Sequence, residues 1–310
     1  MPITRRHLLG SLFARPKNRP NIVIILADDL GYGDVACYNP ESKIPTPHVD
    51  RLAREGTRFI DAHTPCGVCS PTRYGLLTGR YPWRTELKTQ VLWPWDKPLI
   101  DADRLTLPKL LKSKGYSTAA FGKWHLGWHW STTDGSQVNS QVRIGDPQRE
   151  IRNEFTKKIR FDQPVAQGPT TRGFDYYFGV DLPNFPPYTF IENDRLLAPP
   201  SVPKPDAMFG WPGPMAEGWK LEGVLPEITR RCVQYIERQA NQDQPYFLYF
   251  PMTGPHTPIA PAAEFAGTSK AGQYGDFVHQ CDWSVGQVMD AIRRSKTARD
   301  TIVIFTSDNG

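Results

Sequence analysis

Asn21-Ile22-Val23-Ile24-Ile25-Leu26-Ala27-Asp28-Asp29 decides the fold. Ile22 to Leu26 is an unbroken run of branched aliphatic side chains without polar alternation, the pattern of a strand buried on both faces. Two carboxylates follow at once. Moving outward, Thr46-Pro47 reads as an N-cap with proline at the first helical position. Val49, Leu52 and Ala53 share one face, and Gly56 is the stop. The unit recurs: Leu107, Leu110 and Leu111 mark a helix with Lys112 and Lys114 at its negative end and Gly115 closing it, before a strand from Tyr116 to Phe121. Ile228, Cys232, Tyr235 and Ile236 precede a strand from Tyr246 to Phe250. Val278, Cys281, Val285, Val288, Met289 and Ile292 precede one from Thr301 to Phe305. Helix, turn and buried strand in alternation predict an α/β fold with a mostly parallel or mixed central sheet and helices on both faces.

The 310 residues carry 37 Lys and Arg against 32 Asp and Glu, a net of +5 that is too small to track a nucleic-acid backbone. The longest apolar run, Ile22 to Ala27, is far short of a membrane span. Thirty prolines predict long, stiff loops, and five cysteines form no even disulfide framework. Residues 128–225, rich in Pro, Trp, Gly and Asn, read as a loop-rich insertion of loops and short strands within one catalytic domain spanning 21–310. Thr4-Arg5-Arg6-His7-Leu8-Leu9-Gly10 resembles a twin-arginine export leader, so residues 1–20 are set apart from the fold; a basic amino-terminal tail is the alternative. A working leader places the protein in the periplasm or outside the cell.

The chemistry lies after the strands: Asp28 and Asp29 after the first, Lys123 and His125 after the second. His256 follows the third, in Gly254-Pro255-His256, and Asp308 and Asn309 follow the fourth. Open α/β sheets bind ligands outside the carboxyl ends of their strands, so all of these groups point to one crevice. Taken singly, each could be a cap or a turn; together they are poorly explained that way. Asp, Asp, Asp and Asn are hard oxygen donors and suit calcium better than zinc. Cys66-Gly67-Val68-Cys69 lacks the second half of a structural zinc site. Lys123 and His125, two apart in an extended chain, are expected to share one side.

Cys69-Ser70-Pro71-Thr72-Arg73, followed by Leu77-Thr78-Gly79-Arg80, resembles the signature of the sulfatase family in the alkaline phosphatase superfamily, strongest to its arylsulfatase-like members. Ala27 to Asp34, Gly122-Lys123-Trp124-His125-Leu126-Gly127, Gly254-Pro255-His256 and Ser307 to Gly310 agree in family order. The resemblance implies hydrolysis of aryl or carbohydrate sulfate esters by a formylglycine that a maturation enzyme makes from Cys69. It implies one calcium ion on Asp28, Asp29, Asp308 and Asn309, with a formylglycine oxygen at position 69 completing the shell. Arg73 would steady the nucleophile's oxygen, and Lys123 would bind sulfate. His125 would take a proton as sulfate leaves, and His256 would contact the sulfate and the leaving oxygen. Pro71 fits the first turn of a helix beginning near Cys69, whose dipole favours an anion.

His48, His63, His129 and His279, like Cys37, Cys66, Cys232 and Cys281, are expected to be structural. Trp83, Trp93, Trp95, Trp128 and Trp130 are read as packing in preference to a stacking surface. Family members continue beyond the motif that ends here at Gly310, adding a lysine, more sheet and a smaller domain. The expectation is therefore a truncated gene product or an incomplete gene sequence, incomplete at the carboxy terminus and, as it stands, poorly folded or weakly active. Two rivals are a phosphonate monoester or phosphodiester hydrolase bearing the same C-x-P-x-R, and a remnant that only binds.

Overall fold

The computed structural model describes residues 19–310, so the paired arginines and apolar run of the leader reading lie outside the described residues. Strands β1 (Asn21–Asp28), β2 (Ser117–Lys123), β3 (Tyr176–Val180), β4 (Ile191–Glu192), β5 (Arg195–Leu196), β8 (Tyr246–Pro255) and β9 (Thr301–Ser307) form one sheet in the order β5-β4-β3-β2-β8-β1-β9. From β3 to β9 the strands are parallel, and β4 and β5 add an antiparallel edge. A separate ribbon pairs β6 (Val202–Pro203) with β7 (Pro214–Met215). The helices are α1 (Pro47–Glu55), α2 (Cys69–Thr78), α3 (Leu107–Ser113), α4 (Arg149–Thr156), α5 (Val224–Gln239) and α6 (Gly272–Arg294). None of the described helices is long and apolar enough to cross a membrane.

The period of two along β1 divides the core. Val23, Ile25 and Ala27 pack with residues of α1, α5 and α6. Ile24 and Leu26 pack on the other face, with Tyr74 and Leu77 of α2 and the aromatic cluster of Trp95, Trp124, Trp128 and Trp130. Both faces are covered, as an uninterrupted aliphatic strand requires. Strand β9 is the exception: it forms the edge beside β1, and its Ile302 and Ile304 are exposed. Leu110, expected to share a face with Leu107 and Leu111, is exposed instead; a seven-residue helix half-buries its i, i+4 pair against the core and leaves the third leucine off the stripe.

Residues 128–225 hold a helix besides the expected loops and short strands. They supply α4 and β3, and β3 pairs with β2 throughout its length. Weak periodicity hid β3 because it is short and flanked by Pro and Gly-rich turns.

Helix α1 starts where Thr46-Pro47 places it, but Thr46 does not cap it. Its hydroxyl donates to Asp50 and accepts from the Ala36 N–H. The exposed N–H groups of His48 and Val49 are taken by the Asp282 carboxylate, from α6, at 2.8–3.1 Å. A carboxylate at a helix amino terminus gains from both the hydrogen bonds and the dipole. Replacing Asp282 by Ala is expected to cost about 2 kcal/mol, since it orphans two N–H groups. Urea denaturation measures it; a change below about 0.5 kcal/mol would mean that water substitutes fully.

Candidate active site

Sheet register assembles the site. Ala27 pairs with Ser307 and Asp28 with Pro255, so Asp28, Asp308 and His256 leave three neighbouring strands at one edge. Lys123 ends β2, one strand further along. It gets there because Gly122, with φ +137°, lies where a Cβ would strike the Pro251 carbonyl. Helix α2 begins at Cys69 itself, with Pro71 in its first turn and Gly79 closing it in the left-handed region. The amino end of α2 therefore points its free N–H groups and dipole at the place where the strand-end groups gather.

Charge is tightly organised there. Arg73 and Asp28 are fully buried, as are Lys123 and Asp308. The Arg73 Nε and Nη2 donate to Asp308 Oδ2 at 3.1 and 2.8 Å, Nη2 also to Asp28 Oδ1 at 3.0 Å, and Nη1 to the Lys123 carbonyl at 3.0 Å. Lys123 Nζ donates to both oxygens of Asp28, at 2.9 and 2.7 Å. Burial alone would raise Asp28, but Lys123 and Arg73 outweigh it and hold the carboxyl below its ordinary range. Burial prevails at Asp308 and pushes it up to about 6. Burial likewise pushes the Cys69 thiol up to about 12, so at neutral pH it is neither a thiolate nor a strong nucleophile. The guanidinium of Arg73 is committed to the carboxylates and acts on Cys69 only through its field.

Donor atoms of Asp28, Cys69 and Asp308 lie within 4.8 Å of one another, as do those of Asp29, Cys69 and His256. Asn309 Nδ2 donates to Asp29 Oδ1 at 2.7 Å, while its Oδ1 is buried with no partner. Four oxygen-bearing side chains with an orphaned amide oxygen among them fit a hard divalent cation. Asp29 sits at φ +63°, a conformation Asp tolerates, and its main-chain N–H is held by Asp308 Oδ1. His256 Nε2 lies 3.6 Å from Asp29 Oδ2, and its Nδ1 faces the Thr257 carbonyl.

The alternation expected for Lys123 and His125 fails, because extension ends at Lys123 and His125 has φ +51°. His125 is placed by other means. Its Nε2 meets the Leu92 carbonyl at 2.9 Å, and since a carbonyl only accepts, Nε2 carries the proton and Nδ1 is bare. Nδ1 is buried and unpartnered. Burial and then Lys123 push His125 well below its ordinary range, so the ring is neutral. Leu92 also donates its N–H to Ser70 Oγ at 3.2 Å, linking the start of α2 to His125.

Sequence reading missed Leu92 and Asp181. Asp181 Oδ1 accepts from the His125 N–H and the Trp128 indole, each at 3.1 Å. It follows β3, so the strand-end rule that found the other groups would have found it had β3 been recognised. Burial pushes Asp181 up to about 6 from an ordinary 3.8, against its hydrogen bonds. The folded protein thus retains a proton that the unfolded chain releases. The associated stability is complete below pH 4 and is lost as pH rises through 6. Asp181→Asn keeps an oxygen for both donors and is expected to remove one group's share of the slope over that window, where Asp282 and Asp308, also pushed up to about 6 by burial, still titrate. An unchanged slope in pH-dependent denaturation would reject the assignment.

The other histidines engage elsewhere: His48 against Gly286, His63 with Asp61, His129 on the Ala166 backbone and His279 with Thr268. All five cysteines are free. Trp95, Trp128 and Trp130 are buried packing and Trp83 is exposed. Trp93 is half-buried and contacts Phe185 and Trp211, and Phe185 sets its ring edge-on to His125.

Fold and site together define an α/β architecture whose charged and polar side chains gather at the carboxyl ends of parallel strands. Residues 20–310 match the family model described as Sulfatase, and the chain belongs to the sulfatase family. It is 34% identical over 313 residues to an N-acetylgalactosamine-6-O-sulfatase of Bacteroides thetaiotaomicron, a match covering 94% of this chain and 59% of that protein. Human arylsulfatase A is 33% identical over 310 residues, covering 97% and 53%. A solved structure described for the metabolism of multiple glycosaminoglycans by Bacteroides thetaiotaomicron superposes with TM-score 0.79 at 30% identity, over 95% of this chain and 63% of that one. The chain thus spans little more than half the length of the curated relatives it matches.

Proposed function

We propose that this chain carries the catalytic site of a sulfate ester hydrolase acting on aryl or carbohydrate sulfates, with Cys69 matured to formylglycine and calcium held by Asp28, Asp29, Asp308 and Asn309. One observation carries the reading: Cys69 opens α2 beside both donor clusters, yet its thiol is pushed up to about 12. A residue so placed is useful as a nucleophile only after chemical conversion. Formylglycine at position 69, made by a separate maturation enzyme, would supply an aldehyde hydrate to attack sulfur. Calcium, when bound, would supply charge neutralisation for the hydrate and the sulfate oxygens.

The chain's own groups do the rest. Lys123 stays cationic because the acidic groups around it, Asp28 foremost with Cys69 and Asp308, together outweigh its burial, and it offers a fixed positive charge for a sulfate oxygen. His256, at the rim beside Asp29, is placed for the sulfate and the leaving oxygen. His125, neutral with a bare Nδ1, accepts the proton released as sulfate departs. Arg73 fixes the carboxylates that would hold the ion. The B. thetaiotaomicron relative named for N-acetylgalactosamine-6-O-sulfate supports a sulfated carbohydrate as substrate. The twin-arginine pattern supports export, with maturation before or during it.

The test compares the matured chain on an aryl sulfate and on the matching aryl phosphonate monoester. Sulfate hydrolysis is expected to dominate kcat/KM. A phosphonate preference would overturn the reading in favour of the related phosphonate hydrolases.

A further inference from the structure

At the carboxyl end of α2, about 15 Å along its axis from Cys69, lies a cavity of about 640 Å³. Arg80, Arg84, Lys88, Lys97 and Arg172 line it, against Glu86 and Asp101. Lys97 is matched to Glu86 at 2.7 Å. Among the described residues, Arg80, Arg84, Lys88 and Arg172 pair with no carboxylate. They are held by neutral groups instead: Arg80 donates to the Arg84 carbonyl, Lys88 to the Trp83 carbonyl, and Arg84 lies over the Trp83 ring at 4.9 Å.

Arg172 is the most informative. Its residue is only 3% exposed, and Nε and Nη1 are spent on the Ile100 carbonyl and the Thr171 hydroxyl, leaving Nη2 without a protein partner. Burial lowers its pKa, with only Asp101 acting in its favour. A buried cation without a carboxylate is costly, and a concave wall focuses its field together with those of the more exposed Arg80, Arg84 and Lys88. Pro98, Leu99, Ile144 and Gln167 complete walls of mixed polarity, which suit a saccharide better than a bare ion.

We propose that this cavity is a second ligand site, separate from the strand-end crevice, that takes an anionic sugar unit through Arg84, Lys88 and Arg172. The anion rests on the cavity alone; the saccharide rests on the sulfatase reading. The volume exceeds the need of one oxyanion, and several cations in the lining suit a unit bearing its charge on an extended ring. Sulfate and carboxylate substituents share the chemistry that these groups recognise.

Calorimetric titration of the chain with a sulfated disaccharide, a uronate disaccharide, a neutral disaccharide and inorganic sulfate tests it. The sulfated ligand is expected to occupy two sites. Arg84→Glu with Lys88→Glu should weaken one of them at least tenfold, and His256→Ala should affect only the other. Arg84→Ala with Lys88→Ala, a milder pair, should give the same ranking should charge reversal disturb folding. An isotherm unchanged by both pairs would overturn the site. Equal binding of the neutral disaccharide at this site would overturn its anion selectivity, and inorganic sulfate binding as tightly as the disaccharides would overturn the saccharide. Preference between the sulfated and uronate ligands identifies the natural substituent. Absence of sulfate ester turnover beside an intact Arg84-dependent site would count against the catalytic reading alone.

Discussion

Arg73→Met is expected to destabilise the folded chain by about 3–5 kcal/mol, the usual result of removing one partner from a buried ion pair. The side chains of Arg73, Asp28 and Asp308 are all inaccessible to solvent. Lys123 would still neutralise Asp28, but Asp308 would face the interior with no cation in contact. The sign with pH follows. Asp308 already sits at about 6, above an ordinary 3.8, and loss of Arg73 raises it further. In the variant, folding therefore demands that a proton be retained, which is easy at pH 5 and costly at pH 8. The penalty should accordingly grow with pH. Arg73→Lys keeps the charge but cannot fork between two carboxylates, and should fall between the two. Chemical denaturation at pH 5 and pH 8 measures both; a loss under about 1 kcal/mol, or one independent of pH, would show that the carboxylates do not depend on this guanidinium.

Cys69→Ala should lower sulfate ester turnover by about 10⁴-fold or more, because removing a nucleophile leaves only binding and field effects. The fold should barely notice: a buried Sγ lost at the first turn of α2 costs about 1 kcal/mol. Both donor clusters keep their carboxylates, so affinity for a sulfated ligand should change far less than turnover. That split distinguishes a catalyst from a remnant that only binds. Turnover surviving in a folded Cys69→Ala chain would remove position 69 from the chemistry and with it the need for maturation.

Much of the site was legible because its groups obey a local rule. Asp28, Asp29, Lys123, His256, Asp308 and Asn309 each follow a strand that its own apolar run announces, and parallel strands deliver their carboxyl ends to one edge. Asp181 obeys the same rule but escaped, because β3 is five residues long and lies among turns. The helix starts at Pro47 and Cys69 were legible for the same reason, proline and turn chemistry being written in adjacent residues.

By itself, then, the sequence determined the α/β class, the two-sided core, the motif around Cys69 and the set of groups at the strand ends, since periodicity and spacing act over a few residues. Tertiary structure alone decided how those groups are joined. Arg73 meets Asp308 across 235 positions, Asp282 caps α1 across 233 to 234, and Leu92 ties Ser70 to His125. Only the folded chain shows that the Arg73 guanidinium bonds Asp28 and Asp308, and that His125 stands in its neutral form. The unmatched cations at the far end of α2 likewise come together only there. The reason is physical: a local pattern specifies which face a side chain takes, whereas the partner that meets a buried charge comes from whatever segment packing brings opposite it.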